Sequence, residues 1–310
     1  MNKLVSVVIP TRNRKKDTID CLESLFQSDY SPFEAIVVDN ASSDGTAAGV
    51  RERFPQVKVL ENSEDLWASG GRNRGLKEAK GDYVFFLDSD NILHKSCLKE
   101  LVSFMETDER IGIAGPKMYY YGEPSRISYA GADISLFTGK TTYCGLNCYD
   151  NGRFNATKET GHVPNAFLVS RKAIENVKEF DESYVMFFEE SDFAMRAKKS
   201  GFKIFFRPNA ILWHKVTPVA LGMFSGLGLR SAPRAYFTAR NRLVYMKRHA
   251  HSIAFLFFLV IFSPLSILVY SIDLIGARRM DLESAYLKGS VDGLIYAFTG
   301  KLRNRSESTR

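Results

Sequence analysis

The stretch Tyr83–Asn91, YVFFLDSDN, places five apolar or aromatic residues directly before two acids that are separated by one serine. A short continuous apolar run of this kind is typical of a strand buried on both faces of a parallel sheet. Acids at the end of such a strand lie at the carboxyl edge of the sheet, where open α/β folds bind their ligands. Asp88 and Asp90 could converge there on a divalent cation. The same residue types are also common in a simple acidic turn.

Strand and helix patterns alternate four times in the first 106 residues. The predicted strands are Leu4–Ile9, Phe33–Val38, Val57–Leu60 and Tyr83–Leu87. The alternation predicts an α/β domain with a mostly parallel sheet and helices on both faces. We expect Pro10 to end the first strand, and Gly81 to end the helix that contains Gly70 and Gly75.

Polar residues follow three of these strands: Thr11 and Arg12, Asp39 and Asn40, and Asp88 and Asp90. A loop with Arg12 and Arg14, together with Arg72 further along the chain, suits a diphosphate. An acid after the second strand suits a ribose or a base edge. Taken singly, the arginines could be solvated helix ends. The glycine signatures of dinucleotide-binding and P-loop proteins are absent from the sequence.

A second group of acids, Glu189, Glu190 and Asp192, follows an aromatic run at the predicted start of a helix. The helix dipole alone favours acids at this position. A carboxylate beside apolar side chains is also a common general base. His214 follows a predicted strand and could be a third metal ligand, whereas we interpret His162 as structural or solvated rather than catalytic.

Four motifs in order, SVVIPT from Ser6, VVDNASSDG from Val37, NRG from Asn73 and FLDSD from Phe86, resemble the nucleotide-sugar domain of family 2 glycosyltransferases. The resemblance covers about the first 217 residues. It implies a GT-A fold and a metal-dependent, inverting enzyme of a rhamnosyltransferase-like or lipid-linked-glycan type. The Gln-x-x-Arg-Trp motif of processive synthases is absent, which favours transfer of a single sugar.

The strand ends and the resemblance together give a set of predicted site residues. The donor, a UDP-, dTDP- or GDP-linked sugar, would contact Pro10, Thr11, Arg12, Arg14, Asp39, Asn40, Gly71, Arg72, Asn73, Asp88 and Ser89. The resemblance implies Mn²⁺ or Mg²⁺ on Asp90, with Asp88 and His214 as further ligands. It makes Glu190 the base and Asp192 an acceptor-binding or structural acid. Because the family usually has Asp at the position of Glu190, the choice between Glu189 and Glu190 stays open.

Residues 253–272 form an uncharged run of 20 residues, long enough to cross a bilayer. Basic residues flank both ends and Pro264 lies at the centre, which favours two short helices that break at Ser263–Pro264 and return to the same side. Residues 193–272 contain 12 Lys and Arg and no acid, so we expect an anionic partner. Basic and aromatic residues alternate in 230–248, a pattern that also fits RNA, but no nucleic-acid module accompanies them.

We therefore predict an enzyme at the cytoplasmic face of a membrane, with a lipid-linked saccharide, a polyprenyl phosphate or another glycan as acceptor and no nucleic-acid partner. The predicted parts are a donor half (1–115), an acceptor half (116–217), a basic helical linker (218–250) and membrane-associated helices with a basic tail (251–310).

Two alternatives stay open. A nucleotidyltransferase could use the same fold and acids, but it should carry a glycine-rich loop after the first strand, and residues 10–14 contain no glycine. A non-catalytic membrane-bound protein that binds sugar nucleotides should have lost Asp90 or the acids at 189 and 190, and all three are present.

Overall fold

The computed structural model describes residues 2–218, 229 and 231–302. Its internal contacts divide the chain into two units. The first contains the described residues of Met1–Asp133, Tyr143–Phe180 and Glu190–Pro218, and the second those of Ile134–Thr142, Asp181–Glu189 and Val219–Arg310. The predicted separation of donor and acceptor halves remains a prediction.

Twelve strands lie in the described part of the chain. They are β1 (Val5–Thr11), β2 (Phe33–Asp39), β3 (Lys58–Glu61), β4 (Tyr83–Leu87), β5 (Asn91–Leu93), β6 (Ile111–Tyr120), β7 (Glu123–Tyr129), β8 (Ala132–Ile134), β9 (Thr141–Tyr143), β10 (Lys158–Glu159), β11 (Ala166–Ser170) and β12 (Lys203–His214). Ten form one sheet in the order β10-β12-β6-β11-β4-β1-β2-β3, with β5 beside β12 and β7 beside β6, while β8 and β9 form a separate pair.

Ten α-helices accompany these strands in the same described part. They are α1 (Lys15–Phe26), α2 (Thr46–Arg53), α3 (Trp67–Leu76), α4 (Cys97–Met105), α5 (Arg171–Val177), α6 (Glu189–Lys199), α7 (Ala232–His249), α8 (Ser252–Phe257), α9 (Ser263–Gly276) and α10 (Met280–Thr299). A 3-10 turn covers Glu182–Tyr184, and a π-helical turn, Phe258–Phe262, joins α8 to α9.

The parallel pairings bring the ends of the first strands together. β1 pairs in parallel with β2 and β4, β2 with β3, and β6 with β12, so the predicted α/β class is confirmed. Val84–Leu87 are fully buried although successive residues point to opposite faces, which confirms that β4 is covered on both sides. Thr11 lies opposite Asp39 in the register of β1 and β2. The polar residues that follow these strands therefore share one edge of the sheet.

Two predicted element ends are wrong. Strand β1 continues through Pro10 to Thr11. Its pairing with β4 stops at Val8, so the missing N–H of Pro10 interrupts no hydrogen bond between β1 and β4. The helix through Gly70 ends at Leu76 rather than near Gly81. Just after Leu76, the N–H groups of Glu78 and Ala79 bond to the carbonyls three residues earlier, as in a 3-10 turn.

The predicted break at Pro264 is also wrong. Helix α8, the π-helical turn and α9 form one continuous helix, Ser252–Gly276. A proline removes one helical hydrogen bond and clashes with the carbonyl four residues earlier. The wider π-helical turn lies directly before Pro264, and we attribute the continuity of the helix to it.

In the second unit, α7 and α10 pack with almost no space between their backbones. A side chain added at Gly289 would place its Cβ 2.2 Å from the carbonyl oxygen of Tyr236. The Tyr236 hydroxyl also donates to Asp292 at 2.7 Å. Glycine at 289 therefore permits the close approach of the two helices.

Helix α7 also holds the segment that precedes α6. The side-chain amide of Asn241 donates to the carbonyls of Tyr184, Met186 and Phe187 at 2.8, 2.8 and 3.0 Å. Val185, Phe187 and Phe188 have φ values of 64°, 64° and 67°, which bulky residues rarely adopt. Such conformations persist only where surrounding contacts determine them, and Asn241 supplies three of these contacts.

Glycine at position 75 is a specific test of the packing of α3 on the sheet. A Cβ there would lie 2.3 Å from Val8 Cγ1 and 3.1 Å from Val38 Cγ2. We expect Gly75→Ala to lower the free energy of unfolding by about 1–3 kcal/mol through overpacking. Gly122 is the matched control, because a Cβ added there would have no atom within 4 Å. Chemical denaturation should leave Gly122→Ala within about 0.5 kcal/mol of the parent, and equal stability of the two variants would contradict the packing.

Candidate active site

The loop between β4 and β5 carries Asp88 and Asp90. The Asp88 N–H donates to the carbonyl of Asn165 at 3.0 Å, and the Asp88 carbonyl accepts from the Asn91 N–H at 3.2 Å. The Lys215 N–H donates to the carbonyl of Asp90 at 2.9 Å. The backbone on both sides of the two acids is therefore fixed by neighbouring segments.

Asp90 is held between two basic groups. Arg14 Nη1 lies 3.2 Å from one carboxylate oxygen and His214 Nε2 lies 3.2 Å from the other. His214 reaches Asp90 because β12 pairs with β5 and places His214 opposite Asn91. Burial alone would raise the pKa of Asp90, but the hydrogen bond and charge of His214, with the charge of Arg14, hold that pKa below its usual value.

Asp88 is linked to the second group of acids by one buried arginine. Arg72 Nη2 donates to Asp88 at 2.9 Å and to Glu190 Oε1 at 2.5 Å. The Arg72 side chain is 2% exposed, and its guanidinium lies 5.9 and 5.7 Å from the ring centres of Phe167 and Phe180. Burial, together with the neighbouring charge of Asp90, raises the pKa of Asp88, although Arg72 opposes this shift.

Glu190 lies in the first turn of α6, where the helix dipole favours a negative charge. Its Oε1 also accepts a hydrogen bond from the Asn165 N–H at 3.0 Å. Asn165 therefore contacts both acids, through its N–H to Glu190 and through its carbonyl to Asp88. Glu189 is buried, and it belongs to the second unit.

The ends of β1 and β2 form a second cluster of predicted donor-binding residues. The Asn40 N–H donates to the Thr11 carbonyl at 2.9 Å, and buried Asp39 accepts from the Ser42 N–H at 2.8 Å. A Cβ at Gly71 would lie 2.9 Å from Asn40 Nδ2 and 3.1 Å from Pro10 Cβ. Glycine at 71 therefore lets α3 approach the ends of both strands.

Three further predicted residues make contacts within the protein. Arg12 forms an ion pair with Asp65. The Asn73 side chain both donates to and accepts from the backbone of Phe180, at 2.9 and 2.8 Å. Asp192 pairs with Arg196 at 2.7 Å. The roles of Arg12, Asn73, Asp192 and the buried Ser89 in substrate binding stay predictions.

Sequence reasoning missed Asn165, Phe167 and Phe180, which surround the buried Arg72. Asn165 has a φ of 65°, a conformation that asparagine adopts more readily than most residues. An asparagine directly before the apolar run Ala166–Val169 is the signal that the sequence offers. The two phenylalanines were not distinguishable from ordinary core residues, because nothing in the sequence pairs them with an arginine.

The donor chemistry at Asp88 and Asp90 suits a hard divalent cation, since it offers carboxylate oxygens beside an imidazole nitrogen. Within residues 2–218, 229 and 231–302, however, no three His, Cys, Asp or Glu side chains are grouped closely enough to hold a metal ion. Asp90 and His214 pair directly, whereas Asp88 pairs with Arg72. The three predicted ligands are thus near one another in the fold but do not form one cluster, because basic side chains hold the two carboxylates.

The order of strands and helices is that of the GT-A fold. The sequence profile described as Glycosyl transferase family 2 matches residues 6–178, more than half of the chain. The chain belongs to this family.

Two curated proteins show what the chain is similar to. The amylovoran biosynthesis glycosyltransferase AmsB of Erwinia amylovora is 29% identical over 205 residues, which cover 64% of this chain and 65% of AmsB. The UDP-Glc:alpha-D-GlcNAc-diphosphoundecaprenol beta-1,3-glucosyltransferase WfgD of Escherichia coli is 35% identical over 103 residues, which cover 33% of this chain and 41% of WfgD. The chain thus spans less than two-thirds of the length of both curated relatives.

A structure of the mannosyltransferase PcManGT from Pyrobaculum calidifontis, in complex with GDP-Man and Mn²⁺, has a similar fold. Its TM-score is 0.59 at 17% identity, over 95% of this chain and 88% of that one. At this identity the likeness concerns the fold alone, and it confirms the predicted GT-A class.

The buried arginine provides a test of the site. Removing one partner of a buried ion pair costs about 3–5 kcal/mol, so we expect Arg72→Met to lower the free energy of unfolding by that amount. Combined with Glu190→Gln, the change should show a coupling energy of about 1 kcal/mol or more.

Arg74 lies on the same helix, is 44% exposed and is 3.8 Å from Glu78. Arg74→Met, the control, should change stability by less than about 1 kcal/mol. A similar loss in both variants would contradict the bridge.

The burial of His162 can be tested through the pH dependence of the free energy of unfolding. It is buried, its backbone exchanges hydrogen bonds with Ala132, and burial lowers its pKa from 6.5 to about 4. Between these values the unfolded chain binds more protons than the folded one, so the histidine's contribution to stability falls as the pH falls from 6.5 to 4. We expect the difference in unfolding free energy between the parent and His162→Gln to change by up to about 3 kcal/mol over that range, and to be flat above pH 7. A flat difference at every pH would show an exposed histidine.

Proposed function

We propose that the protein transfers one sugar from a nucleoside diphosphate sugar to an acceptor hydroxyl, with inversion at the anomeric carbon. The observation that carries the proposal is the bridge from Asp88 through Arg72 to Glu190. It connects the acids at the donor edge of the sheet to a carboxylate at a helix start. Asp88, which would help to hold the donor, and Glu190, the candidate base, thus bind the same arginine.

The donor would lie across the ends of β1, β2 and β4. Arg14 and Arg72 bring positive charge to this edge, which suits the diphosphate, and they flank Asp90 and Asp88. Asp39, buried at the end of β2, would accept a hydrogen bond from the pyrimidine or purine base. Gly71 lies so close to Asn40 and Pro10 that a side chain at this position would displace residues of the proposed donor site.

Asp90, with Asp88 and His214, would hold Mn²⁺ or Mg²⁺. Such a cation would neutralise charge on the diphosphate as it leaves. Arg14 contributes positive charge in the same place, since its Nη1 lies 3.2 Å from the Asp90 carboxylate. The Mn²⁺ in the PcManGT complex supports this assignment by analogy.

Glu190 would act as the general base. Arg72 and the Asn165 N–H both donate to its Oε1 and fix the orientation of the carboxylate. Glu190 would take the proton of the acceptor hydroxyl as that oxygen bonds to the anomeric carbon. The bond from this carbon to the diphosphate breaks on the opposite face, and the nucleoside diphosphate leaves with the bonding electron pair.

The acceptor would be a lipid-linked saccharide or a polyprenyl phosphate, used at the cytoplasmic face of a membrane during assembly of a surface polysaccharide. Two observations support this part. The name of WfgD gives a diphosphoundecaprenol-linked sugar as its acceptor, and that of AmsB gives amylovoran biosynthesis. The described chain also has one helix, Ser252–Gly276, that is long and apolar enough to cross a membrane by length and composition.

A panel of UDP-, dTDP- and GDP-linked sugars with Mn²⁺ or Mg²⁺, read by release of the free nucleoside diphosphate, tests the reaction. We expect turnover with at least one donor and its loss on chelation. Glu190→Gln should lower the rate by about 10²–10⁴-fold while the donor still binds. Asp90→Asn should weaken donor binding in the presence of metal.

Glu175→Gln is the matched control, because Glu175 is an exposed glutamate on α5. It should leave the rate unchanged. Glu189→Gln decides between the two adjacent acids: a larger loss than in Glu190→Gln would assign the base to Glu189. Release of a sugar 1-phosphate instead of a nucleoside diphosphate would indicate transfer of the nucleotidyl group and refute the proposal.

A further inference from the structure

The helix Ser252–Gly276 exposes one continuous apolar face. Ile253, Leu256, Val260, Leu265, Leu268 and Ile272 are each more than half exposed. Helix α10 adds a second apolar row at spacings of three and four residues, formed by Leu287, Val291, Ile295 and Phe298. Exposed apolar surface of this extent on two helices of one unit marks a surface that binds something apolar.

The opposite face of the same helix is polar and packs on α7. Arg242 donates to the Ser266 hydroxyl at 3.1 Å and to the Tyr270 hydroxyl at 3.3 Å. Its guanidinium also lies 5.5 Å from the centre of the Tyr270 ring. Ser266 and Tyr270 are near the middle of the 25-residue helix. A charged side chain of α7 is therefore attached to the middle of the apolar segment.

This attachment is incompatible with a helix that crosses a bilayer in the arrangement described. The hydrocarbon core is ~30 Å thick, so the middle of a crossing helix would lie about 15 Å from either surface. Arg242 would be carried to that depth, together with a helix that also contains Arg240, Lys247 and Arg248. Charges at the centre of a bilayer are strongly unfavourable.

We propose that Ser252–Gly276 lies in the plane of a membrane interface, with its apolar face and the apolar row of α10 in the lipid and α7 on the water side. A helix with one apolar face and polar contacts on the other can lie in the interface plane with its apolar face at the boundary of headgroups and acyl chains. The proposal rests on the proposed function only in placing the protein at a membrane. It adds that the helix lies on the membrane surface rather than crossing the bilayer.

The partner that fits is a bilayer containing anionic phospholipid. Arg278, Arg279 and Lys288 are exposed at the end of the long helix and on α10. Lys247, exposed near the end of α7, lies 5.1 Å from the centre of the Phe255 ring near the start of the long helix. Basic side chains next to an interfacial helix bind anionic headgroups. Phe137, 53% exposed, extends the apolar face, since its ring centre lies 6.5 Å from that of Phe257.

Depth measurements separate the two orientations. Spin labels at Ile253→Cys, Leu265→Cys and Ile275→Cys, in the full chain with Cys144→Ser and Cys148→Ser, report the depth of each position by power saturation. The chain is bound to vesicles of phosphatidylcholine and phosphatidylglycerol. A helix in the plane should place all three labels at similar depths of about 5–10 Å. A crossing helix should place the label at 265 about 15 Å deeper than those at the ends, and this result would overturn the proposal.

Flotation with the same vesicles tests the partner. We expect the parent chain to bind them and to bind pure phosphatidylcholine more weakly. Leu265→Asp combined with Leu268→Asp should weaken vesicle binding about tenfold or more. Gln56→Asp combined with Gln27→Asp, two changes that add the same charge outside this face, should not.

Release of the nucleoside diphosphate from donor and water, measured without vesicles, should be unchanged in both of these double variants. This readout separates the two ideas: absence of turnover in the parent chain would count against the proposed function alone, whereas equal vesicle binding by the parent and the Leu265→Asp and Leu268→Asp variant would count against the anchor alone. If the chain binds neither kind of vesicle and instead forms dimers that the Leu265→Asp and Leu268→Asp changes dissociate, a second copy covers the face and the anchor is refuted.

Discussion

A guanidinium buried between two carboxylates is the interaction on which the site depends. Removing Arg72 from water is costly, and the cost is offset only because Asp88 and Glu190 both bind its Nη2. The rings of Phe167 and Phe180 complete its surroundings. These residues come from α3, the end of β4, β11, the segment before the 3-10 turn and α6, so none of them can be positioned until the sheet has formed. The ion bridge therefore makes the geometry of the acids a property of the whole first unit.

Much of the donor edge could be predicted from the sequence. A fully apolar run such as Tyr83–Leu87 is rarely anything but a buried strand, and alternation with helices implies parallel neighbours. Once strands are parallel, residues that follow them must meet at one edge, and the register of Thr11 with Asp39 is the direct result. The approach of Asp88, Asp90 and His214 follows from the same geometry.

The contacts across the fold could not be predicted in this way. Arg72 and Glu190 are 118 positions apart, and no local pattern indicates that a particular arginine turns inward. Residues 111–160 show no clear periodicity, yet they contain β6, a strand of ten buried residues. Buried glycine, proline and lysine interrupt its apolar pattern. The predicted helix break at Pro264 was wrong for a different reason. A wider helical turn can accommodate a proline that a strict α-helix cannot.

Helix α7 has a consequence for how this chain can be divided. The three carbonyls held by Asn241 belong to Tyr184, Met186 and Phe187, directly before Glu189 and the start of α6. A chain that ended before Ala232 would keep the predicted donor residues and the ion bridge, but it would lose the contacts that hold this left-handed segment. Removal of α7 would therefore release the backbone that leads into Glu189, even though the sequence of every strand stayed intact.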